Sequence, residues 1–186
     1  MIDMTFVVPQ EWEHNTYALH AKLDELFGRR AETKYLWSIV PGLGGGALLY
    51  VRAPTVPTTA MPAFSKATPC PEAGDEATFS VVAMPTTKDA RTGRRKPFTR
   101  ENDTGRERWF QRRAEQFGFV PIEVRHASSR RWIGKPTAEK PHSPWWIDAT
   151  TFVGRVRVTD AAVFREMLEN GFGQGRAWGC GLFVVA

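Results

Sequence analysis

The chain has 186 residues, 42% of them apolar, and its 25 lysines and arginines outnumber 20 aspartates and glutamates, for a formal net charge of +5. That length holds one ordinary domain or two small ones, and the basic balance favours a polyanionic partner without naming it. Two cysteines, Cys70 and Cys180, are too few and too far apart for a disulfide framework or a zinc site. With no signal-peptide layout at Met1-Ile2-Asp3-Met4 and no run of about 18 apolar residues, a soluble cytoplasmic protein that engages no membrane is expected.

Met4 to Val8 is a β-rich run stopped by Pro9 and reads as a first strand. Asn15 offers an acceptor for a helix N-terminus. Leu19, Leu23, Leu26 and Phe27 then recur at one-face helical spacing until Gly28. Tyr17 and His20 stand one turn apart beside that stripe. Tyr35 to Val40 and Ala47 to Ala53 read as two strands joined through a glycine-rich hairpin connection. Pro54 to Asp75, rich in proline, threonine and alanine, reads as a long loop with at most one short helix, and Ala77 to Met84 as a further strand. The order β-α-β-β-(weak α)-β is the ferredoxin-like pattern.

Thr86 to Arg100 is polar and basic, with Arg91, Arg94, Arg95 and Lys96 around Gly93; it is either a solvated interdomain segment or a phosphate-gripping loop. Asn102 opens a helix whose Trp109, Phe110, Ala114 and Phe117 form the apolar side, while Arg106, Arg108, Arg112 and Arg113 supply charge. Phe119 to His126 reads as a strand. Ala127 to Pro144 reads as a second basic loop with Arg130, Arg131 and Lys135, and Trp145 to Val158 as extended chain. A helix capped by Thr159 or Asp160 runs to Asn170, and Gly181 to Ala186 closes the sheet. The second half thus supplies α-β-β-α-β, one strand short of a second ferredoxin-like unit; a strand donated from the linker would complete it. The class from pattern alone is α+β with one or two sheets.

Between the last helix and the last strand lies Gly171-Phe172-Gly173-Gln174-Gly175-Arg176-Ala177-Trp178-Gly179-Cys180-Gly181. A dinucleotide or P-loop fingerprint needs the opposite order, strand before glycines before helix. On spacing alone this tail is either a turn that packs a helix tightly on a strand or a loop whose amides face an anion. Gly171, Gly173, Arg176, Ala177, Trp178, Gly179, Cys180, Gly181 and Leu182 follow the tail pattern of the CRISPR-associated repeat endoribonucleases of the CasE type, the guide-RNA-processing subunit of Cascade. Tyr17, His20, Phe27, Leu36 and Trp37 match that family's opening, and Trp109 to Arg113 its central helix, so the resemblance spans most of the chain. The chain departs from the family where Val82 and Met84 replace polar positions and in the missing second helix of 54–75.

The resemblance implies tandem ferredoxin-like (RRM-like) domains, each a βαββαβ antiparallel sheet with helices on one face, with a division after residue 88. It also implies metal-independent cleavage at a hairpin-bearing repeat, with a ribose 2′-hydroxyl as nucleophile and no cofactor. Such chemistry needs a proton acceptor, a proton donor and a cation near the phosphorane. His20 is the candidate acid or base, Tyr17 its orienting or relay partner, and Arg29 or Arg30 the cation; His126 and His142 are secondary. Arg91, Arg94, Arg95, Lys96, Arg106, Arg112, Arg113, Arg130, Arg131, Gly173, Gly175 and Arg176 are the candidate RNA contacts. The implied partners are repeat stem-loop RNA and other Cas subunits of a Cascade-like complex, with a monomer outside it. The rival reading is a non-catalytic RNA hairpin-binding module of the same fold.

Overall fold

The computed structural model describes residues 1–42, 46–98, 102–132 and 146–186. Its first sheet begins with β1 (Ile2–Pro9), whose alternate residues Met4, Phe6 and Val8 are buried. After a short 3-10 turn, α1 (Thr16–Phe27) starts where Asn15 accepts a hydrogen bond from the Ala18 amide, and it ends at Gly28. Leu19, Leu23 and Phe27 are its buried stripe, as the spacing predicts. A four-residue helix, α2 (Arg30–Thr33), leads into β2 (Leu36–Pro41) and β3 (Gly46–Ala53). The fourth strand is β4 (Phe64–Ala67), paired with β1, so the antiparallel sheet has the order β2-β3-β1-β4.

β4 lies inside the stretch expected to be a loop. All four of its residues are exposed, so it has neither the alternation nor the apolar run that marks a strand in sequence. The strand at Ala77 to Met84 exists as β5 (Glu76–Ala83), but it opens the second sheet, pairing with β9 (Trp146–Val158) along its whole length. The sheets therefore change over between Ala67 and Glu76, ahead of the division expected after 88. The strand that seemed missing from the second half is β5 itself, from before the linker.

A small hairpin, β6 (Thr86–Lys88) and β7 (Arg95–Pro97), follows. Then come α3 (Asp103–Gln116), β8 (Phe119–Trp132), β9, α4 (Ala161–Asn170) and β10 (Phe183–Val185). β8 continues past His126 to Trp132, taking in residues expected to be loop, because its register with β9 runs on from Phe119 opposite Val158 to Trp132 opposite Trp146. The sheet order β10-β5-β9-β8 repeats the first: the fourth strand of each unit lies beside the first, the second at the far edge. Both units are ferredoxin-like, although the first has no helix between β3 and β4.

Each unit has its own core. The second is aromatic: Phe110 stacks on Phe152 with centroids 4.7 Å apart and Phe79 on Phe183 at 4.9 Å, and Phe172 packs among Phe110, Phe119 and Phe183. Such offset pairs add to the area they bury.

Arg52 of β3 reaches from the first unit to the second and is fully buried. Its Nε and Nη2 donate to the Asp3 carboxylate of β1 at 2.6 and 2.8 Å, and Nη1 donates to the carbonyls of Leu168 in α4 and Phe183 in β10, both at 3.0 Å. Thr68 donates to the same carboxylate at 2.8 Å. A buried charge is tolerated only when paired and hydrogen-bonded in this way. Arg52→Met is expected to destabilise the protein by about 3–5 kcal/mol, since it leaves the Asp3 carboxylate with no cation and two carbonyls without their donor; urea unfolding measured for both proteins checks this, and a loss below about 1 kcal/mol would contradict it.

Candidate active site

His20 occupies the middle of α1, half-buried, and its surroundings follow from helical spacing. Asp24, one turn on, shares its face, and the residue before β2, Tyr35, is driven fully beneath α1. The Tyr35 hydroxyl lies 2.9 Å from His20 Nδ1 and 2.6 Å from Asp24 Oδ1. Phe27 packs against the Tyr35 ring at 5.7 Å. Just ahead of it Lys34 takes a left-handed φ of +50°, which costs a non-glycine residue about 1–2 kcal/mol.

Tyr17 sits elsewhere than expected. It is 61% exposed, and its ring stacks on Trp178 of the tail at 6.5 Å and 30°. The phenol that reaches His20 is that of Tyr35. Period and spacing place Tyr17 beside His20 because both are on α1; no local pattern reveals that a tyrosine fifteen residues later folds back onto the same ring.

The tail leaves α4 at Gly171, where φ is +89° and a Cβ would stand 2.9 Å from Leu36 Cδ2 and 3.2 Å from the Gly181 carbonyl. It then passes through a 3-10 turn, Arg176–Trp178, into β10. The amides of Phe172, Trp178, Gly179, Cys180 and Gly181 donate to carbonyls of Gly181, Gly175, Arg176, Gly175 and Val82. Much of the loop's backbone thus holds its own shape and is not offered to an anion, which favours the tight-turn reading for those positions. Gly173 and Gly175, at φ +83° and +78°, are part of the same turn. Arg176 is exposed, and its Nη1 donates to the Asn170 carbonyl at the end of α4.

These pieces meet in an open cleft of about 400 Å³ between the units. His20, Lys34, Tyr35 and Leu36 line it from the first unit, and Glu169, Asn170 and Arg176 from the second. Among the described residues, the cations lining the cleft are Lys34 and Arg176. Arg29, exposed after α1, uses its carbonyl to accept the Glu32 and Thr33 amides, and Arg30 is the first residue of α2. Lys34 went unremarked in sequence because its placement depends on the backbone turn before β2.

The other candidate cations gather at the hairpin and α3. Lys88, Arg95, Arg112 and Arg113 line a second cleft of about 330 Å³ with Trp109. Arg113 lies over the Trp109 ring at 5.9 Å, and burial, together with the charges of Arg95 and Arg112, lowers its pKa from the usual guanidinium range. Its Nε is buried without a hydrogen-bond partner. Arg91 and Arg94 are exposed in the hairpin turn. The turn is held by Asp89, which accepts from the Arg91 and Thr92 amides and the Thr92 hydroxyl and pairs with Lys96 at 3.0 Å. The Lys96 bond, then those of Thr92 and Arg91, hold the Asp89 carboxyl far below the ordinary range.

Arg106 departs from its expected role. It is 2% exposed, with Nη1 on Asp103 at 3.3 Å, because it falls on the buried face of α3 beside Trp109 and Phe110. Arg130 and Arg131 lie in β8 opposite Asp148 and Ile147. His126 faces Glu107 at 3.4 Å, away from the cleft residues; Arg100, Lys135 and His142 lie outside the described residues. Among the described residues no group of three or more His, Cys, Asp or Glu is placed to hold a metal ion, and no helix is long and apolar enough to cross a membrane.

Residues 4–186 match the family model described as CRISPR associated protein. The fold is similar to that of CRISPR endoribonuclease Cse3 bound to 19 nt RNA, with a TM-score of 0.84 at 23% identity over 100% of both chains. It is similar to the CRISPR-associated protein Cas6e from Escherichia coli str. K-12, with a TM-score of 0.78 at 19% identity over 100% of this chain and 99% of that one. A chain of a CRISPR RNA-guided surveillance complex gives 0.72 at 22% identity, over 100% and 99%. No curated protein matches.

Gly171→Ala should force apart the tail and Leu36, since alanine must take φ +89° and displace a side chain at a cleft wall. A loss of about 1–2 kcal/mol in thermal unfolding is expected; wild-type stability would show that the tail yields there at no cost.

Proposed function

The chain belongs to the CRISPR-associated protein family, and from that premise we propose that it is a metal-independent endoribonuclease that cuts CRISPR repeat RNA at the base of a stem-loop. It is monomeric until it joins a Cascade-like complex as the subunit that retains the processed guide. The observation that carries this reading is the common cleft: His20, from near the start of the chain, and Arg176, from its glycine tail, line one opening between the two units. The fold it shares with an RNA-bound Cse3 and with a chain of a surveillance complex supports RNA as the ligand and the complex as its destination.

The chemistry needs no external reactant. The ribose 2′-oxygen attacks the adjacent phosphorus, its proton passes to a base, the bond from phosphorus to the 5′ oxygen breaks, and that oxygen takes up a proton. The products are a 2′,3′-cyclic phosphate and a 5′-hydroxyl. His20 performs one of these proton transfers. Lys34 and Arg176, with Arg29 or Arg30, offset phosphorane charge, and a guanidinium bonded to Asn170 through one nitrogen keeps other donors for phosphate. Tyr17, stacked on Trp178, holds the RNA beside His20. Arg91, Arg94, Arg95, Arg112 and Arg113 take phosphates of the stem, as do Arg130 and Arg131 of β8. The turn through Gly173 and Gly175 shapes the cleft wall.

Repeat RNA incubated with the protein in EDTA is expected to be cut to a 2′,3′-cyclic phosphate end; a gel shift without scission would favour the non-catalytic hairpin binder. His20→Ala should lower cleavage at least about a hundredfold with hairpin affinity within a few-fold, and wild-type cleavage would remove His20 from the mechanism. Replacing Arg91, Arg94 and Arg95 by alanine should flatten the salt dependence of binding by about one logarithmic slope unit per lost phosphate contact. Lys96→Ala should change it less, because Asp89 already neutralises that charge. An unchanged slope in the triple variant would leave the hairpin a solvated segment.

A further inference from the structure

The chain of polar groups behind His20 does more than fill space. Tyr35 is fully buried, and a phenylalanine would fit the same packing against Phe27; the hydroxyl is within hydrogen-bond distance of both Asp24 and His20. A carboxylate can only accept, so at 2.6 Å the Tyr35 hydroxyl hydrogen is committed to Asp24 Oδ1. The alternative acceptor, the His20 carbonyl, is 3.5 Å away and loses to the shorter, charge-assisted bond. With its hydrogen spent, the phenol oxygen can only accept from the ring nitrogen 2.9 Å away.

From this geometry, and resting on the reading of His20 as the proton-transfer group, we infer that Asp24 and Tyr35 are positioning residues that fix the His20 tautomer. Nδ1 carries hydrogen toward Tyr35 in every working state, and Nε2 is the nitrogen that exchanges a proton with RNA. As a base, neutral His20 takes the 2′-hydroxyl proton on Nε2; as an acid, the imidazolium gives the Nε2 proton to the departing 5′ oxygen. No proton passes through Tyr35 or Asp24 in either case.

The first test needs neither RNA nor a variant. Nitrogen-15 spectra of His20 in the intact protein above its titration should show hydrogen on Nδ1; hydrogen on Nε2 overturns the inference. Second, Tyr35→Phe should slow single-turnover cleavage about ten- to hundredfold with the half-saturating RNA concentration unchanged. Asp24→Asn, a change at a half-buried site, should slow the rate in the same way if Tyr35→Phe does not fold. A wild-type rate in a folded variant overturns the positioning role while His20→Ala still abolishes cleavage. His20→Ala at wild-type rate instead brings down the catalytic reading itself, and the positioning role with it.

Discussion

The two halves of this protein are held in register by one buried guanidinium. Arg52 belongs to a strand of the first sheet, yet half of its hydrogen bonds go to the second unit, to one carbonyl near the end of α4 and one in β10. These are the segments that flank the glycine tail. A guanidinium is planar and its donors are fixed in a fork, so satisfying Asp3 on one side and two carbonyls on the other defines how the tail's anchors sit relative to β1 and β3. Hydrophobic contact between the units would tolerate sliding; four directional bonds from a fully buried side chain do not.

The cleft is a consequence of that registration. Its walls come from α1 and the approach to β2 on one side and from the α4 terminus and Arg176 on the other, and neither unit contains the whole set. The tail is shaped mainly by bonds to itself and to Val82, while Leu36 presses against Gly171 and Trp178 against Tyr17. Apolar contact and self-bonding thus fix the walls and leave the polar side chains of the opening to face a ligand. The left-handed Lys34 is consistent with such a place, since a strained residue persists only where its surroundings over-determine it.

What could be read from the sequence follows the physics of each signal. The apolar stripe of α1 and the alternation of β1, β3 and β5 are local, and they identify the elements. They do not say which sheet a strand joins, which is why β5 reads as the end of the first unit when its partners are β9 and β10. β4 left no trace because an exposed edge strand buries nothing. His20, Arg176 and the tail stand out through the resemblance of their motifs to those of the CasE-type endoribonucleases, whereas Tyr35 and Lys34 join His20 and Asp24 only through a fold that returns the chain to α1. Arg106 looks like its neighbours in sequence; the turn of α3 alone decides that it faces inward with Trp109 and Phe110.

The crowd of cations at the hairpin carries its own consequence. Lys88, Arg95, Arg112 and Arg113 share one recess, and the depressed basicity of Arg113 registers both lost hydration and mutual repulsion. A polyanion bound in that recess would relieve the repulsion, and whatever binds only the folded form also stabilises it. Copies of the protein without such a ligand would then be the ones more exposed to unfolding and proteolysis.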